Sequence, residues 1–253
     1  MTVCVVTQPR FFPGLHYLHR MMLADVFVIL DTVQYSPRHE ENRTKVKTAQ
    51  GPHWLTVPVR QTGREQRILD TRVDDTQPWR RRIGHTLAAL YSRAPRYEPH
   101  IAEVLGILDG PHQTLTDLDW ASWGPAIRSL GITCRFVRAS ALPVAERGSR
   151  LLLELCKAVG ADVYLSGAFG REYLDLPAFA AEGIAVRFHE YAYPPYPQRF
   201  GDFVPWLSYL DMLFNAGLDP QTVAAGGTMP APTAVGGGPK ADSLEGRRDW
   251  GIA

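Results

Sequence analysis

Apolar and polar positions divide the first 35 residues into two buried strands and an amphipathic helix. Residues 3–6 are a continuous, largely β-branched run, which is typical of a strand covered on both faces. Apolar side chains then recur at helical spacing over residues 15–24, and residues 26–30 form a second apolar run that ends at Asp31. The pattern predicts a βαβ unit, whose right-handed crossover brings the ends of both strands to one edge of a sheet.

The rest of the chain continues the alternation of strands and helices. Beyond a polar, basic loop at residues 35–50, the periodicity predicts strands at residues 54–59, 132–137, 163–165 and 184–188, and helices at residues 78–92, 99–108, 115–130, 149–159 and 203–215. This alternation is typical of an α/β fold. We therefore expect a Rossmann-like, mostly parallel sheet flanked by helices.

The C-terminal end differs in composition from the rest of the chain. Residues 224–239 are almost entirely Gly, Ala, Pro and Thr, and are too poor in large apolar groups to build a packed core. We therefore predict one α/β domain over residues 1–219 and a Gly/Ala/Pro-rich flexible tail over residues 220–253.

Composition and charge narrow the class of protein. The 27 basic and 26 acidic residues nearly balance, so the chain has no global attraction to nucleic acid or membranes. Its three cysteines lack the spacing of a zinc site and favour a reducing compartment. No apolar run approaches the roughly 20 residues of a membrane helix, and the N-terminus does not have the pattern of a signal peptide. We expect a cytoplasmic protein.

Two polar side chains stand at the predicted ligand-binding edge of the first unit. In open α/β sheets, ligands bind outside the carboxyl ends of the strands. Gln8 follows the first strand, and its amide can both donate and accept hydrogen bonds. Asp31 follows the second strand, where a carboxylate can accept a proton from a substrate. The alternative is that both side chains only hold turns in place.

His16 and His19 form an HxxH pair at the start of the first helix. The pair resembles the HxGH element of nucleotidyltransferase-like folds, in which imidazoles at a helix N-terminus stabilise a transferred phosphate. The Gly between the histidines is absent here, and residues three apart on a helix also share a face for packing reasons. No third ligand accompanies the pair, so no metal site is predicted.

Two basic segments could bind anions. The loop that contains Gln34, Tyr35, Asn42 and Arg43 offers amides, an aromatic ring and cations, which suit a phosphate or carboxylate of a small-molecule substrate. The arginines of residues 60–82 could attract an acidic carrier protein, a nucleotide or a nucleic acid, although no nucleic-acid module accompanies them. Both segments could instead be ordinary solvated surfaces.

A third candidate follows the predicted strand at residues 163–165. Ser166, Gly167 and Arg171 place a hydroxyl, a close backbone approach and a cation at the same sheet edge, which favours a binding role over a simple tight turn. No nucleophile is evident, because the cysteines lie on apolar elements and the GxSxG elbow is absent. The sequence does not indicate which cofactor, if any, the protein uses.

Many short motifs, in order from about residue 3 to residue 217, resemble those of the WbqC-like protein family. They are Gln8-Pro9-Arg10-Phe11-Phe12-Pro13, Ala24-Asp25-Val26-Phe27-Val28, Asp31-Thr32-Val33-Gln34-Tyr35, Asn42-Arg43, Trp54-Leu55-Thr56-Val57-Pro58-Val59, Tyr164-Leu165-Ser166-Gly167, Tyr173-Leu174-Asp175, Tyr196-Pro197-Gln198 and the run at residues 207–217. Members commonly have a Gly-Tyr-Phe-like step after the proline, where this chain has the HxxH pair.

The resemblance implies a role in biosynthesis, within gene sets for O-antigen, other surface glycans or specialised metabolites. It does not imply one reaction that all members share. By motif position it implies these site residues: Gln8, Asp31, Gln34, Asn42, Arg43, Ser166, Gly167 and Asp211.

Three functions follow from these observations. The first is a group-transfer enzyme that moves an acyl or aminoacyl unit from an activated donor to an amine or hydroxyl of a sugar or related metabolite, with Asp31 or a histidine as base. The second is a nucleotidyltransferase-like enzyme that uses His16 and His19. The third is a non-catalytic protein that binds an acidic carrier domain through the arginines of residues 60–82.

Overall fold

The central sheet is parallel and has the strand order of a doubly wound fold. In this computed structural model, which describes residues 1–61, 63 and 65–233, the sheet order is β7-β2-β1-β8-β9. The strands are β1 (Val3–Thr7), β2 (Val26–Ile29), β3 (Arg43–Thr48), β4 (Gly51–Thr56), β5 (Val59–Arg60), β6 (Arg72–Val73), β7 (Arg135–Arg138), β8 (Val163–Gly167) and β9 (Ala185–His189).

Helices cover this sheet and extend the domain beyond it. They are α1 (Leu15–Leu23), α2 (Trp79–Tyr91), α3 (Tyr97–Asp109), α4 (Leu115–Ser122), α5 (Gly124–Leu130), α6 (Gly148–Ala158), α7 (Leu176–Ala181), α8 (Tyr209–Asn215) and α9 (Pro220–Ala224). Short 3-10 helices lie at Ile68–Asp70, Ala139–Ala141 and Ala168–Glu172. These elements confirm the predicted α/β fold with a Rossmann-like parallel sheet flanked by helices.

The continuous apolar runs explain why β1 and β2 lie inside the sheet. β1 pairs in parallel with β2, where Cys4 faces Val26, and with β8, where Val3 faces Val163. The side chains of residues 3–6 are at most 5% exposed, as expected for a strand with neighbours on both edges and helices on both faces. Counted along the chain, the five strands have the order 3-2-1-4-5. The order therefore reverses between β1 and β8, which is where such sheets bind ligands.

The basic loop predicted at residues 35–50 is partly a strand. β3 and β4 form a separate antiparallel hairpin in which Lys45 faces Trp54. The guanidinium of Arg43 lies 3.9 Å from the centre of the Trp54 ring, and the Lys45 ammonium lies 5.0 Å from it. Cations alternate with Thr and Val along β3, so the segment has the period of a strand although its charge is typical of a loop.

Two predicted helices have different bounds in the structure. The helix predicted at residues 115–130 is divided at Trp123, because Gly124 and Pro125 begin a new helix, α5. The helix predicted at residues 203–215 begins only at Tyr209. Ser208 is its N-cap and accepts a hydrogen bond from the Leu210 amide, and Trp206 before it has a φ of +63° that is incompatible with a right-handed helix.

The first part of the predicted tail belongs to the folded domain, which corrects the predicted boundary at residue 219. Val223 is completely buried, the Tyr191 hydroxyl donates to the Val223 carbonyl at 2.9 Å, and the Thr233 amide donates to Val186 in β9 at the same distance. The buried Val223, the partly buried Met229 and backbone hydrogen bonds anchor a segment that its composition did not mark as structured. The rest of the predicted tail, residues 234–253, lies outside the described residues.

In the described part of the chain, no helix has the length and apolar character needed to cross a membrane.

Candidate active site

A cavity of about 440 Å³ opens at the carboxyl ends of the central strands. Thr7 and Gln8 line it from the end of β1, Ser166 and Gly167 from the end of β8, and His189 from the end of β9. The cavity therefore lies at the reversal of strand order between β1 and β8. Its position and volume are those of a small-molecule site in a doubly wound fold.

Arg20 of α1 is the most unusual group in this cavity. The residue is 6% exposed, and its Nε is buried without a hydrogen-bond partner. None of the salt bridges among the described residues involves Arg20. Burial and, to a smaller extent, the nearby Arg10 lower the pKa of its guanidinium to about 10. A buried cation with unused donors is costly unless an anion binds beside it.

Gln8 and Gly167 complete the surroundings of this cation. Gln8 lines the same cavity, and its Nε2 is also buried without a hydrogen-bond partner. A Cβ atom at Gly167 would lie 3.5 Å from Nη1 of Arg20, which places the guanidinium close to the backbone after β8. Ser166 is buried beside it, and its hydroxyl donates to the Gly167 carbonyl at 3.1 Å. The cavity thus offers hydrogen-bond donors to a ligand that accepts.

His16 is held by partners on both ring nitrogens. Its Nε2 lies 3.0 Å from Nη1 of Arg10, and its Nδ1 lies 2.5 Å from the Tyr193 hydroxyl. Because a guanidinium can only donate, Nε2 accepts and the ring proton is on Nδ1. Burial lowers the pKa of His16 well below its ordinary value, and the nearby cations, Arg10 foremost, act in the same direction. His16 is therefore a neutral ring that orients Arg10, which also forms a salt bridge with Glu40.

His19 does not line the cavity but contacts a histidine that does. Its Nδ1 lies 2.7 Å from Nε2 of His189, and the two buried rings have centroids 5.1 Å apart. Burial lowers the pKa of both rings, and that of His189 falls to about 3, with Arg20 and His19 as further causes. A hydrogen bond to the backbone of Gly227 raises the pKa of His19 in part. The two histidines of the HxxH pair therefore have different positions. His16 lines the cavity, and His19 contacts its wall from behind.

The mouth of the cavity carries exposed aromatic side chains. Phe169 is 67% exposed and Trp206 52% exposed, and both line the opening together with Tyr173. Large apolar groups are seldom left in water without a reason when they surround a cavity. Together with the cations inside, they favour a ligand that has an anionic end and a larger, less polar part.

Asp31 and Asp211 lie outside the cavity and bind protein groups. Both carboxylate oxygens of Asp31 accept from Ser140, one from the amide at 2.9 Å and the other from the hydroxyl at 2.7 Å. Asp211 accepts from the hydroxyls of Tyr91 at 2.6 Å and Tyr196 at 3.0 Å. Burial raises the pKa of Asp211, and these hydrogen bonds oppose the shift. These contacts join neighbouring elements, and the site roles of Asp31 and Asp211 stay predictions.

The candidates Gln34, Tyr35, Asn42 and Arg43 do not line the cavity and contact neighbouring segments of the protein instead. The Gln34 backbone bridges to Arg67, and the Tyr35 amide donates to the Gln66 carbonyl. The Asn42 side-chain amide donates to the Val57 carbonyl at 2.8 Å, while Arg43 stacks on Trp54.

Arg171 also lies next to the cavity rather than in it. It forms a salt bridge with Glu190 at 3.0 Å and lines a shallow groove beside residues 227–233. The structure thus brings Gln8, His16, Ser166 and Gly167 together, with His19 one contact away.

Arg10, Arg20 and His189 are the cavity groups that sequence reasoning missed. Arg10 stands inside a family motif, between Pro9 and Phe11, and its position after the first strand was an available signal. Arg20 stands on the helical face next to His16 and could have been found as a cation in a predicted buried helix. His189 ends a predicted strand without any local motif, and only the register of Gly167 opposite His189 brings it to the site.

A second cluster of buried polar atoms does not belong to the cavity lining. Glu41 is 2% exposed and Asp119 is fully buried, and three of their four carboxylate oxygens have no hydrogen-bond partner. Burial raises the pKa of Glu41 to about 7 and that of Asp119 well above its ordinary range, and Glu41 adds to the second shift. The groups therefore favour their protonated forms.

Comparison with known proteins gives a family and one curated relative. The sequence model of the WbqC-like protein family matches residues 8–222. The chain is 33% identical over 223 residues to a protein of Mycobacterium tuberculosis (strain ATCC 25618 / H37Rv) described as "Uncharacterized protein Rv1507c". The alignment covers 87% of this chain and 96% of the relative. No solved structure matches the chain significantly.

Proposed function

The chain belongs to the WbqC-like protein family, and on this premise we propose that it is a biosynthetic group-transfer enzyme. It moves an acyl or aminoacyl unit from an activated donor to an amine or hydroxyl of a sugar or specialised metabolite. The observation that carries the proposal is Arg20, a buried cation that has no salt bridge among the described residues and lines the cavity at the reversal of strand order together with Gln8 and Arg10. An anionic group of the substrate would compensate this charge.

The physical reason is the cost of leaving these groups unpaired. A buried donor without a partner costs about 1–3 kcal/mol, and more when it is charged. A phosphate or carboxylate can accept from Arg20 and Gln8 together and can also reach Arg10, because Arg10 lines the same cavity. Activated biosynthetic donors commonly carry such a group. The exposed Phe169 and Trp206 then suit the larger part of the same molecule.

The cavity chemistry supports direct transfer between two bound substrates. None of the three cysteines lines the cavity, and burial raises the pKa of Cys134 to about 12 and that of Cys156 well above its ordinary value, which opposes a thiolate nucleophile at either residue. Neutral imidazoles, in contrast, can accept a proton from an attacking amine or hydroxyl. Orientation of the two substrates by fixed cations would supply much of the rate acceleration.

A nucleotidyltransferase-like activity is the second candidate, and His16 is the observation that favours it. His16 lies in the cavity beside Arg10, where it could face the phosphates of a nucleotide. Only half of the HxxH pair is placed for that role, because His19 is turned to His189. Nucleotides therefore form a separate arm of the test.

The carrier-protein hypothesis stays a prediction for a different surface. Arg60, Arg72 and Arg80 line one shallow depression with His112, and Arg80 is paired there with Asp75. Arg64, part of the same basic segment, lies outside the described residues. Reversal of the charges of Arg80, Arg81 and Arg82 should abolish a salt-sensitive complex if this surface binds an acidic carrier.

The test combines ligand binding with product detection. Pyrophosphate at about ten times its Kd should raise the melting temperature of the native chain by about 3–5 °C, since binding at that ratio adds about 1.4 kcal/mol. Arg20→Met should remove the shift, and Arg82→Met, on the exposed face of α2, should retain it. Incubation with acyl or aminoacyl thioester donors and amino-sugar acceptors should give a new product by mass spectrometry, and nucleotidyl products with nucleoside triphosphates would instead support the second candidate. No pyrophosphate shift and no product with any donor would refute the proposal.

A further inference from the structure

We propose that His189 is the catalytic residue that accepts the proton of the attacking group, and that His19, fixed by the backbone of Gly227, is the positioning residue that sets its tautomer. This inference rests on the proposed transfer function and names the base within the same site. It adds a residue that no sequence motif marked. The hydrogen bond between the two histidines, the link of His19 to Gly227 and the place of His189 in the cavity wall support it.

The direction of the hydrogen bonds follows from the partners at each end. A neutral imidazole has one N–H, and with Nδ1 of His19 already in contact with His189 the proton of His19 belongs on Nε2, so that Nδ1 accepts. The Gly227 backbone supports this assignment, because it raises the pKa of His19 as a carbonyl that accepts from the ring does. The neighbour of Nδ1 at 2.7 Å is Nε2 of His189, which is therefore the donor.

This tautomer leaves an unprotonated nitrogen on His189, the ring of the pair that lines the cavity. With its proton on Nε2, His189 has an unprotonated Nδ1, and among the hydrogen bonds of the described residues none engages that atom. His189 lines the cavity in which Arg20 and Gln8 lack partners. A carbonyl that orients a histidine through its second nitrogen is the arrangement by which proteins fix the reactive tautomer of an imidazole.

The proposed step balances as a simple acyl transfer. The amine or hydroxyl of the acceptor forms a new bond to the carbonyl carbon of the donor, and its proton passes to Nδ1 of His189. The bond between that carbon and the leaving group breaks, and its electron pair stays with the leaving group. His189 then returns the proton to the leaving group or to water, which restores the resting enzyme.

The anion beside Arg20 would tune this base. Burial holds the pKa of His189 at about 3, and Arg20 contributes to this value. An anionic substrate on Arg20 compensates that positive charge, so the proton affinity of His189 rises when the donor is bound. Among the described residues, the other charged or titratable groups near His189 include His16 and His19 on α1, Glu190 in its salt bridge with Arg171, and Glu172, Tyr173 and Tyr191 on the cavity wall.

The tautomer can be measured on the full-length protein by NMR of histidines labelled with nitrogen-15. At pH 7 we expect the proton of His189 on Nε2 and none on Nδ1. His19→Leu, which removes the acceptor, should release the tautomer, whereas His19→Asn should preserve it because the amide oxygen of Asn can occupy the place of Nδ1. His85→Asn, an exposed residue of α2, is the matched control. A proton on Nδ1 of His189 in the native chain would overturn the inference.

The coupling to the anion is tested in the same samples with pyrophosphate as probe. Pyrophosphate should raise the titration midpoint of His189 by about one pH unit, and Arg20→Met should abolish this change. No response of His189 to bound pyrophosphate would also overturn the inference. Once a transfer reaction is found, His189→Asn should lower kcat at least about 100-fold with little change in KM, and His19→Asn should retain more activity than His19→Leu.

The two proposals fail in different ways. If product forms and His189→Asn leaves its rate unchanged, the base is wrong and the transfer function stands. If the tautomer and the pyrophosphate coupling are as expected but no donor and acceptor react, the transfer function fails, and His189 stands only as a proton acceptor of this cavity.

Discussion

The unpaired nitrogens of Arg20 and Gln8 indicate the chemistry of the ligand. Their orphaned donors lower the stability of the ligand-free protein, because neither nitrogen recovers the hydrogen bonds that it had with water. Selection for folding alone would replace such groups by apolar ones of similar volume. Their presence in one cavity is therefore better explained by binding than by structure, and Arg20→Met should stabilise the free protein while it removes the response to pyrophosphate.

Glu41 carries a second prediction at the level of one residue. Its pKa is raised from 4.5 to about 7 because it is buried. Below pH 4.5 both the folded and the unfolded chain hold this proton, so ionisation costs nothing. As the pH rises towards 7 the unfolded state ionises first, and above 7 the folded state has lost about 3 kcal/mol of stability through this group.

Glu41→Gln removes this ionisation. We expect the variant to gain stability over the native chain as the pH rises. The difference between their free energies of unfolding, measured by urea denaturation, should be about 3 kcal/mol larger in favour of the variant at pH 8 than at pH 4. Glu98→Gln, on the exposed face of α3, gives the baseline for an ordinary surface carboxylate. A difference that stays constant between the two pH values would show that Glu41 does not titrate as its burial implies.

The site residues differ in how far the sequence could identify them. His16, Gln8 and Ser166 follow predicted strands or begin a predicted helix, and local pattern was enough to bring them to one edge. Asp31 has the same position in the pattern, yet the turn after β7 supplies Ser140 to its carboxylate, a contact between residues 109 apart in sequence. His189 was not found because a long-range contact, the pairing of β9 with β8, brings it to the cavity.

At the level of elements, close packing in the turn after β8 positions a residue that lines the cavity. Gly170 belongs to the 3-10 helix Ala168–Glu172, and a Cβ there would lie 2.1 Å from the Ser166 hydroxyl and 3.0–3.1 Å from Leu174 and Phe188. The sequence suggested that glycines here allow backbone to approach a ligand. The structure adds a packing reason, because Gly170 leaves room for the side chain of Ser166.

Gly170→Ala should therefore destabilise the protein by about 1–3 kcal/mol, the usual cost of an extra methyl group in a packed site. Gly106→Ala is the matched control, because a Cβ at this position in the middle of α3 would have no atom within 4 Å. It should stabilise the protein by about 0.5–1 kcal/mol through the helix propensity of Ala. Urea denaturation should give opposite signs, and equal signs would contradict the packing argument.

Elements with a strong period were predictable and those defined by pairing or capping were not. β1, β2 and α2 have bounds within one or two residues of the predicted ones, because their apolar runs or stripes are unambiguous. β3 was missed because its cations conceal a period of two. α8 was predicted too long because residues 203–208 are apolar enough for a helix, while Ser208 and the backbone of Trp206 set its true start.

For the whole molecule, the order of the sheet strands and the C-terminal segment decide how the cavity is built. The alternation of strands and helices predicted a parallel sheet, but only the observed order places β1 next to β8 and so joins Gln8 to Ser166. The same is true of residues 220–233. Their composition suggested a tail, and the fold uses them to bury Val223 and to hold His19 through Gly227.

Shortening the chain tests this last role. A chain that ends at residue 219 should be less stable than one that ends at residue 233 by at least about 3 kcal/mol, since it loses a buried valine and several backbone hydrogen bonds. It should also lose the fixed tautomer of His189, because Gly227 no longer accepts from His19. Thermal denaturation and histidine NMR of the two chains measure both effects. If the melting temperatures are equal and the tautomer persists in the shorter chain, residues 220–233 neither stabilise the domain nor set the proton of the histidine pair.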